Sequence, residues 1–307
     1  MDHQAKAPRW VGKRALITGG VSGIGFGIAR AFSDAEIDLV LTYRNPAHRD
    51  SAAAWFAEKG RPQPLFLSLD VTDRAGWARV AQDAGRVHVL VNNAGVSVFG
   101  PTDEASHADY DWIMGVNFGG VVNGLVAMLP GMKAHGEGGH VVNVASMAAF
   151  CAGPQAGIYT ASKFAVRGLT ESLRYNLAPY GIGVSLMCPG LTATNAWDSA
   201  LKRPEAFAGS GFAVPDRAEL EGFGKAFDLG MDPYEVGRKT LAGMDANRGL
   251  ILTHPDHRED FADICAEMMA ALPDEPIPEG RAEIERLRRE ANRAAMAGAR
   301  IGIGDLT

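Results

Sequence analysis

Cysteine is scarce. The 307 residues contain three, Cys151, Cys188 and Cys265, far apart along the chain. That is too few and too scattered for a disulfide framework or a cysteine-built zinc site, and it suits a reducing compartment. Basic charge is not in surplus either: 30 Lys and Arg face 36 Asp and Glu, a net of −6. Nucleic acid and anionic membranes are therefore not expected as main partners, although a local basic pocket for a phosphate is compatible with that balance. The opening residues, Met1-Asp2-His3-Gln4-Ala5-Lys6-Ala7-Pro8, lack the apolar core of a signal peptide. Residues 118–130 are apolar but too short to cross a bilayer. Residues 138–159 are long enough but are broken by Asn143, Ser146, Pro154 and Gln155. The expectation is a soluble cytoplasmic protein. No internal repeat or low-complexity tract is seen.

What is present is a globular composition, with 47% hydrophobic and 21% charged residues, which excludes a disordered chain. Runs rich in Val, Ile and Leu fall at 14–18, 37–43, 64–68, 87–91, 140–145, 182–188 and 249–253. They show little polar alternation, the mark of strands covered on both faces of a parallel sheet. Helical stretches lie between them, near 24–33, 49–59, 74–83, 107–133 and 157–180. Strand and helix in repeated alternation predict a doubly wound α/β fold with seven parallel strands and helices on both faces. The pattern fills residues 1–255, with 191–229 read as a long substrate loop rich in Phe, Gly and Pro. Residues 256–307 read as a C-terminal helical extension. It has one helix near 256–271, a Pro-rich linker at 273–278, and a charged helix at 279–297 stopped by Gly298.

The first strand runs into Thr18-Gly19-Gly20-Val21-Ser22-Gly23-Ile24-Gly25, and a helix follows. Gly19 and Gly23 allow a tight turn, Gly25 allows helix and strand to approach, and the helix N-terminus offers free N–H groups to a pyrophosphate. The spacing is T-G-x-x-x-G-x-G rather than G-x-G-x-x-G. Three further features join it: Asn92-Asn93-Ala94-Gly95 closes the fourth strand, Tyr159-Thr160-Ala161-Ser162-Lys163 starts a long helix, and Ser146 lies thirteen residues before Tyr159. As an ordered set these features resemble the short-chain dehydrogenase/reductase family in its single-domain form, over about residues 14–255. The resemblance implies a Rossmann-type fold and hydride transfer between a nicotinamide cofactor and an alcohol/ketone pair. It implies catalytic roles for Asn117, Ser146, Tyr159 and Lys163. It places the cofactor against Gly19, Val21, Ser22, Gly23, Ile24, Gly25, Tyr43, Arg44, Asp70, Val71, Asn93, Ala94 and Gly95, and against Pro189, Gly190, Thr192 and Thr194 of a P-G-x-x-x-T loop on the nicotinamide side. Tyr159 and Lys163 also touch the cofactor in this family.

The chemistry has a physical reason. Tyrosine is a poor acid/base near neutrality because its pKa is ~10. A cation on the same helix face, four residues on, favours the phenolate. Tyr159 is then the general acid/base, with Ser146 on the substrate oxygen and Asn117 linking Lys163 to solvent through water. NAD-binding relatives place an acid near the end of the second strand to bond the ribose hydroxyls. Here that place holds Tyr43, followed by Arg44. The missing carboxylate and the guanidinium favour NADP over NAD. The glycine turn adds no second basic residue, since Ser22 stands where many NADP-using relatives carry Arg or Lys.

Residues 111–117 and the long tail are similar to bacterial members that oxidise benzylic alcohols of lignin-derived aryl ethers, although those relatives generally carry the NAD-type acid. Ser97, Met147, Gln155, Leu191 and Trp197 are the main substrate candidates, with Val96, Phe99, Asn195, Phe207 and Phe212 also considered. A bulky, aromatic secondary alcohol or ketone is expected. Family members usually form homodimers or homotetramers through the two long helices. Ile284, Leu287 and Ala291 give the last helix an apolar stripe, which either covers a neighbouring subunit or belongs to a solvated helix. His254-Pro255-Asp256-His257 reads as a loop rather than a metal pair, and no metal is expected. Cys151 borders the pocket with nothing beside it to mark a nucleophile. Three alternatives stay open: an NAD-dependent aryl alcohol dehydrogenase, a non-catalytic nucleotide-binding sensor or scaffold, and a dehydratase or isomerase using the nucleotide transiently.

Overall fold

The seven apolar runs form one parallel sheet: β1 (Arg14–Ile17), β2 (Asp38–Tyr43), β3 (Leu65–Ser68), β4 (Val89–Asn92), β5 (Gly139–Val144), β6 (Ile182–Cys188) and β7 (Leu250–Leu252). This computed structural model describes residues 9–213, 216–302 and 304, so the N-terminal residues 1–8 lie outside the description. The strand order is β3-β2-β1-β4-β5-β6-β7, with every neighbour pair parallel. Each strand lies within two residues of its expected bounds. β4 and β5 are buried at every position, as a sheet covered on both faces requires. Alternation along each strand divides the core into two layers. Leu16 joins one with Leu90, Val141 and Leu186, while its neighbour Ile17 joins the other with Val91, Val142 and Met187. The strand order reverses between β1 and β4, and the crevice outside their C-terminal ends is where such sheets bind ligands.

On one face lie α1 (Gly23–Asp34) and, beside it, α8 (Pro233–Asp245). The helix at α8 does not emerge from the sequence pattern. The two helices touch backbone to backbone: a Cβ on Gly27 would sit 2.0 Å from the Pro233 carbonyl, and one on Gly237 would sit 2.4 Å from the Gly27 carbonyl. α2 (Pro46–Glu58) and α3 (Arg74–Asp83) complete the first half, capped by the side chains of Asn45 and Asp73.

The stretch expected as one helix at 107–133 is three pieces. α4 (His107–Met114) runs into a π-helical turn, Gly115–Gly119, and then α5 (Gly120–Ala134). Together they are long and apolar enough to cross a membrane, yet half of the apolar window is buried against this protein's own core. Trp112, Ile113, Val121 and Leu125 fill the layer shared with α6 (Gly157–Leu177). On the outer faces, Val126 of α5 and Phe164 of α6 are exposed.

The region expected as a loop at 191–229 is largely short helical turns, Asn195–Lys202 and Glu205–Phe207, followed by α7 (Arg217–Phe227). One buried carboxylate fastens it. Asp109 Oδ1 accepts from Arg203 Nη2 (2.6 Å) and Ser210 Oγ (2.7 Å), while Oδ2 accepts from the Ser106 and Gly211 backbone N–H groups and from Ser106 Oγ (2.9 Å each). Arg203 also stacks on Trp112 at 4.6 Å. Burial alone would raise this carboxyl, but the hydrogen bonds from Ser210, Ser106 and Gly211 outweigh it and hold the group well below the usual carboxylate range.

The tail forms α9 (Arg258–Ala270) and α10 (Glu279–Met296). α10 packs on α6 through the buried Ala291 and Ala295, whereas Ile284 of the expected stripe is exposed. Gly298, at φ +98°, ends it. None of the described α9 residues is buried, although Phe261 stacks on Phe150 with ring centroids 4.9 Å apart.

Asp109→Asn is expected to cost roughly 3 kcal/mol, because it removes the charge partner of the mostly covered Arg203 guanidinium; urea denaturation reads this. Since the folded carboxyl is held low, its contribution is complete above pH ~4, where the unfolded carboxylate ionises, and is lost as pH falls through the folded value. The Asp109→Asn variant therefore loses this part of the acid dependence of stability.

Candidate active site

The glycine turn is built as an anion cradle. Gly19 and Gly23 adopt φ of +61° and +50°, which side-chain-bearing residues rarely take. Ser22 occupies the N-cap of α1 without using its side chain as a cap, and the first turn carries no acid. The N–H groups there are left for a ligand, with the helix dipole favouring negative charge. Gly25 sits behind the turn, where a Cβ would lie 2.4 Å from the Gly19 carbonyl and 2.5 Å from Asn93 Nδ2. These features fit the pyrophosphate of a dinucleotide. Thr18 binds the turn to the end of β4: its Oγ1 accepts from Asn93 N (2.8 Å) and Ala94 N (3.0 Å), and its carbonyl accepts from Asn93 Nδ2 (2.8 Å).

From this turn a groove of ≈ 690 Å³ runs across the sheet end. Val21, Ser22, Ile24, Tyr43, Arg44, Asp70, Val71, Ala94, Gly95, Pro189 and Thr194 line it, as does Ser97 on the substrate side, and it reaches Tyr159 and Lys163. Gly190 and Thr192 lie behind this wall. Thr192 is buried and donates to the Gly190 carbonyl at 3.1 Å. The groove also includes His48, Arg30, Lys202 and Asp232, which no motif in the sequence marks. At the end beside β2 and β3, Arg44 Nη1 and Asp70 Oδ2 form a half-exposed ion pair at 3.8 Å.

Four polar groups converge at the other end. Ser146 lies close enough to Tyr159 for its hydroxyl to favour the phenolate. Ser146 Oγ also accepts from Ala148 N at 3.1 Å, so this strand-end serine is held in place. Lys163 is buried, with Nζ donating to the Val144 carbonyl (3.3 Å) and standing 5.5 Å from the centre of the Tyr159 ring. Asn117 sits in the π-helical turn, a feature found often at functional sites. Its Oδ1 accepts from Val96 N (2.8 Å), and its Nδ2 donates to the Val96 carbonyl (3.0 Å) and Ser162 Oγ (3.1 Å).

Burial dominates the electrostatics. It pushes Tyr159 up, against the opposing effect of the Ser146 hydrogen bond, and brings Lys163 down to about 8. Helix spacing predicts that the lysine lowers the tyrosine, but in the protein alone desolvation is the larger effect. Cys188, beside Lys163, is raised by burial to about 12 and stays a neutral thiol.

The other substrate candidates scatter. Met147 is buried, Gln155 and Leu191 are exposed, and Trp197 packs on α7 at Gly224. Nearer the tyrosine, Phe99 lies 6.2 Å from the Tyr159 ring, and Phe223 of α7 lies 5.5 Å from Phe99. Sequence reasoning misses Phe223 because the helix that carries it reads as loop. Phe212 is buried against Gly100. The two histidines of 254–257 go to separate partners. His257 Nδ1 bonds Asp260 at 2.9 Å, and these two lie with Cys151 so that their ligand-type atoms are all within 4.8 Å. That group stands outside the groove lining, and burial, with Asp260 nearby, pushes the Cys151 thiol up.

The family model for short chain dehydrogenases matches residues 13–205. The C alpha-dehydrogenase of Sphingobium sp. (strain NBRC 103272 / SYK-6) is 34% identical over 280 residues, 89% of this chain and 91% of that protein. It accords with the resemblance drawn from residues 111–117. Among solved structures, a short chain dehydrogenase/reductase from Burkholderia phymatum in complex with NAD has a TM-score of 0.77 at 32% identity, covering 88% of this chain and 99% of that one. A short-chain dehydrogenase from Sphingobium yanoikuyae in complex with NADPH has a TM-score of 0.65 at 25% identity, covering 87% and 99%. The sheet order, the glycine cradle and these matches lead to one conclusion: this chain belongs to the short-chain dehydrogenase/reductase family of nicotinamide-dependent oxidoreductases acting on alcohol groups.

Proposed function

We propose that the protein interconverts a bulky, aromatic secondary alcohol and its ketone, using NADP(H). The observation that carries the reading is that Tyr159 and Lys163 line one end of a groove whose other end is the glycine cradle, with Ser146 beside Tyr159. A nicotinamide dinucleotide bound in that groove supplies the hydride acceptor or donor. Tyr159 takes the alcohol proton during oxidation and returns it during reduction. Ser146 donates to the substrate oxygen and stabilises the charge that grows there. Lys163, buried and cationic below about pH 8, favours the phenolate once a ligand has shaped the site. Asn117 spends its amide on Val96 and Ser162, and so holds the floor next to Lys163.

NADP is supported by the adenine end. β2 closes on Tyr43 rather than a carboxylate, and Arg44 follows. The 3.8 Å separation from Asp70 is too long for a hydrogen bond, so the guanidinium keeps its donors for a 2′-phosphate. That same ion pair favours the second reading, an NAD-dependent aryl alcohol dehydrogenase, in which Asp70 simply neutralises Arg44. The aromatic substrate is supported by Phe99, whose ring lies 6.2 Å from that of Tyr159, and by Phe223, 5.5 Å beyond it.

Tyr159→Phe is expected to lower kcat by about 10²- to 10⁴-fold, the usual worth of a general acid/base, with thermal stability preserved. Turnover close to wild type would remove Tyr159 from the chemistry. Tyr43→Asp combined with Arg44→Ala is expected to shift the ratio of kcat/KM values from NADP toward NAD by roughly 10- to 150-fold, the worth of one charge-assisted contact. An unchanged ratio would favour the NAD reading. Phe223→Ala should raise KM for an aryl ketone by about tenfold, as for loss of one aromatic pair, and leave a small aliphatic ketone unaffected. Equal effects on both would count against the aromatic substrate.

A further inference from the structure

We infer that His254 is a positioning residue, an imidazole clamp that sets the height of the Pro189–Leu191 backbone over the nicotinamide end of the groove. The inference rests on the reading that a nicotinamide lies between Tyr159 and this segment.

The segment Pro189-Gly190-Leu191 leaves the end of β6 and forms one wall of the groove at Pro189. On one side it is tied to the catalytic serine loop, because the Pro189 carbonyl accepts from Met147 N (3.0 Å), the residue after Ser146. On the other side stands His254, just past β7 and 64 residues away in sequence from Gly190. The Gly190 N–H donates to His254 Nδ1 at 2.9 Å, and His254 Nε2 lies 2.8 Å from the Leu191 carbonyl.

These contacts define the tautomer. A backbone N–H can only donate, so Nδ1 presents a lone pair to Gly190 and the ring proton sits on Nε2, where it donates to Leu191. Thr253 Oγ1, 2.7 Å away, shares Nδ1 with the Gly190 N–H. The ring lies so close that a Cβ on Gly190 would stand 2.8 Å from His254 Cγ, which makes glycine necessary there. The Gly190 N–H has no other hydrogen-bond partner among the described residues. The Leu191 carbonyl also accepts from Met231 N (2.9 Å), which extends the clamp to the chain entering α8. One imidazole thus joins the end of the sheet, the loop facing the nicotinamide and, through Pro189, the serine loop. Its two nitrogens make different bonds, so a phenyl ring does not replace it. The sequence shows His254 only as half of an unconvincing metal pair. Its role depends on β6 and β7 lying side by side.

The test separates ring packing from hydrogen bonding, and the nicotinamide end from the adenine end. His254→Phe keeps the ring and removes both nitrogens. His254→Asn restores an acceptor at the position of Nδ1. Dissociation constants are measured by calorimetry for NADP⁺ and NAD⁺, and for their adenine halves 2′,5′-ADP and ADP, together with kcat and KM for a ketone. For His254→Phe, binding of the whole dinucleotide is expected to weaken about tenfold, as for one lost hydrogen bond of ~1.4 kcal/mol, with kcat reduced. The adenine half is expected to bind within about twofold of wild type, since the clamp lies at the far end of the groove. His254→Asn is expected to recover most of the loss. A His254→Phe protein that matches wild type on the whole dinucleotide, or that loses the adenine half to the same extent, overturns the inference. A wild-type protein that binds neither dinucleotide overturns the reading of function beneath it, a result distinct from both.

Discussion

The site depends on the hydrogen bonds that tie β1 to β4 where the strand order reverses. Thr18 does this with one hydroxyl and one carbonyl, taking both backbone N–H groups of Asn93 and Ala94 and the Asn93 amide. That link sets the glycine turn against the end of β4. It explains why Gly25 cannot carry a side chain, since a Cβ would enter the Gly19 carbonyl and Asn93 together. With the turn placed, the N-terminus of α1 points its free N–H groups into the crevice, and the groove begins there. Everything that lines the groove further along is arranged relative to this junction.

The opposite end stores a different constraint. Tyr159 and Lys163 are both pushed toward their neutral forms by burial, and the lysine has a backbone carbonyl in place of a carboxylate partner. A structural role would not call for such an arrangement, because an apolar residue of similar volume would pack there without the desolvation penalty. A site that must move a proton gains from it, since a charge arriving beside two desolvated groups has a large effect on which of them holds the proton. The π-helical turn belongs to the same pattern. It interrupts a helix that composition alone would leave straight, and it turns Asn117 onto the Val96 backbone beside Lys163.

Long-range polar anchors hold the segments beside the groove, along with apolar packing of Phe212 and Leu220. Asp109, fully buried on α4, gathers Arg203, Ser210 and Gly211 from almost a hundred residues further along the chain. His254 reaches back across a long span of chain to Gly190 and Leu191. Both anchors fix loops at their roots, and Phe223 of α7 stays partly exposed.

The sequence by itself determined the sheet, its seven strands and most of the helices, because strands buried on both faces need continuous Val, Ile and Leu, and that demand is local. It also made the glycine turn and the Tyr159–Lys163 spacing legible, because each lies along one turn or one helix, whereas Ser146 sits in a different element from Tyr159. The tertiary structure alone decided the rest. α8 escapes the pattern since its identity rests on Gly27 and Gly237 letting two helices touch, a contact 210 residues apart in the chain. α7 hides in a segment rich in glycine and proline, and Phe223 is hidden with it. Arg44 and Asp70 stand apart in the sequence and meet only because β2 and β3 are neighbours. The same holds for His254. Local spacing encodes what a residue does with its own turn, and pairings across the sheet become visible only when the strands have been laid side by side.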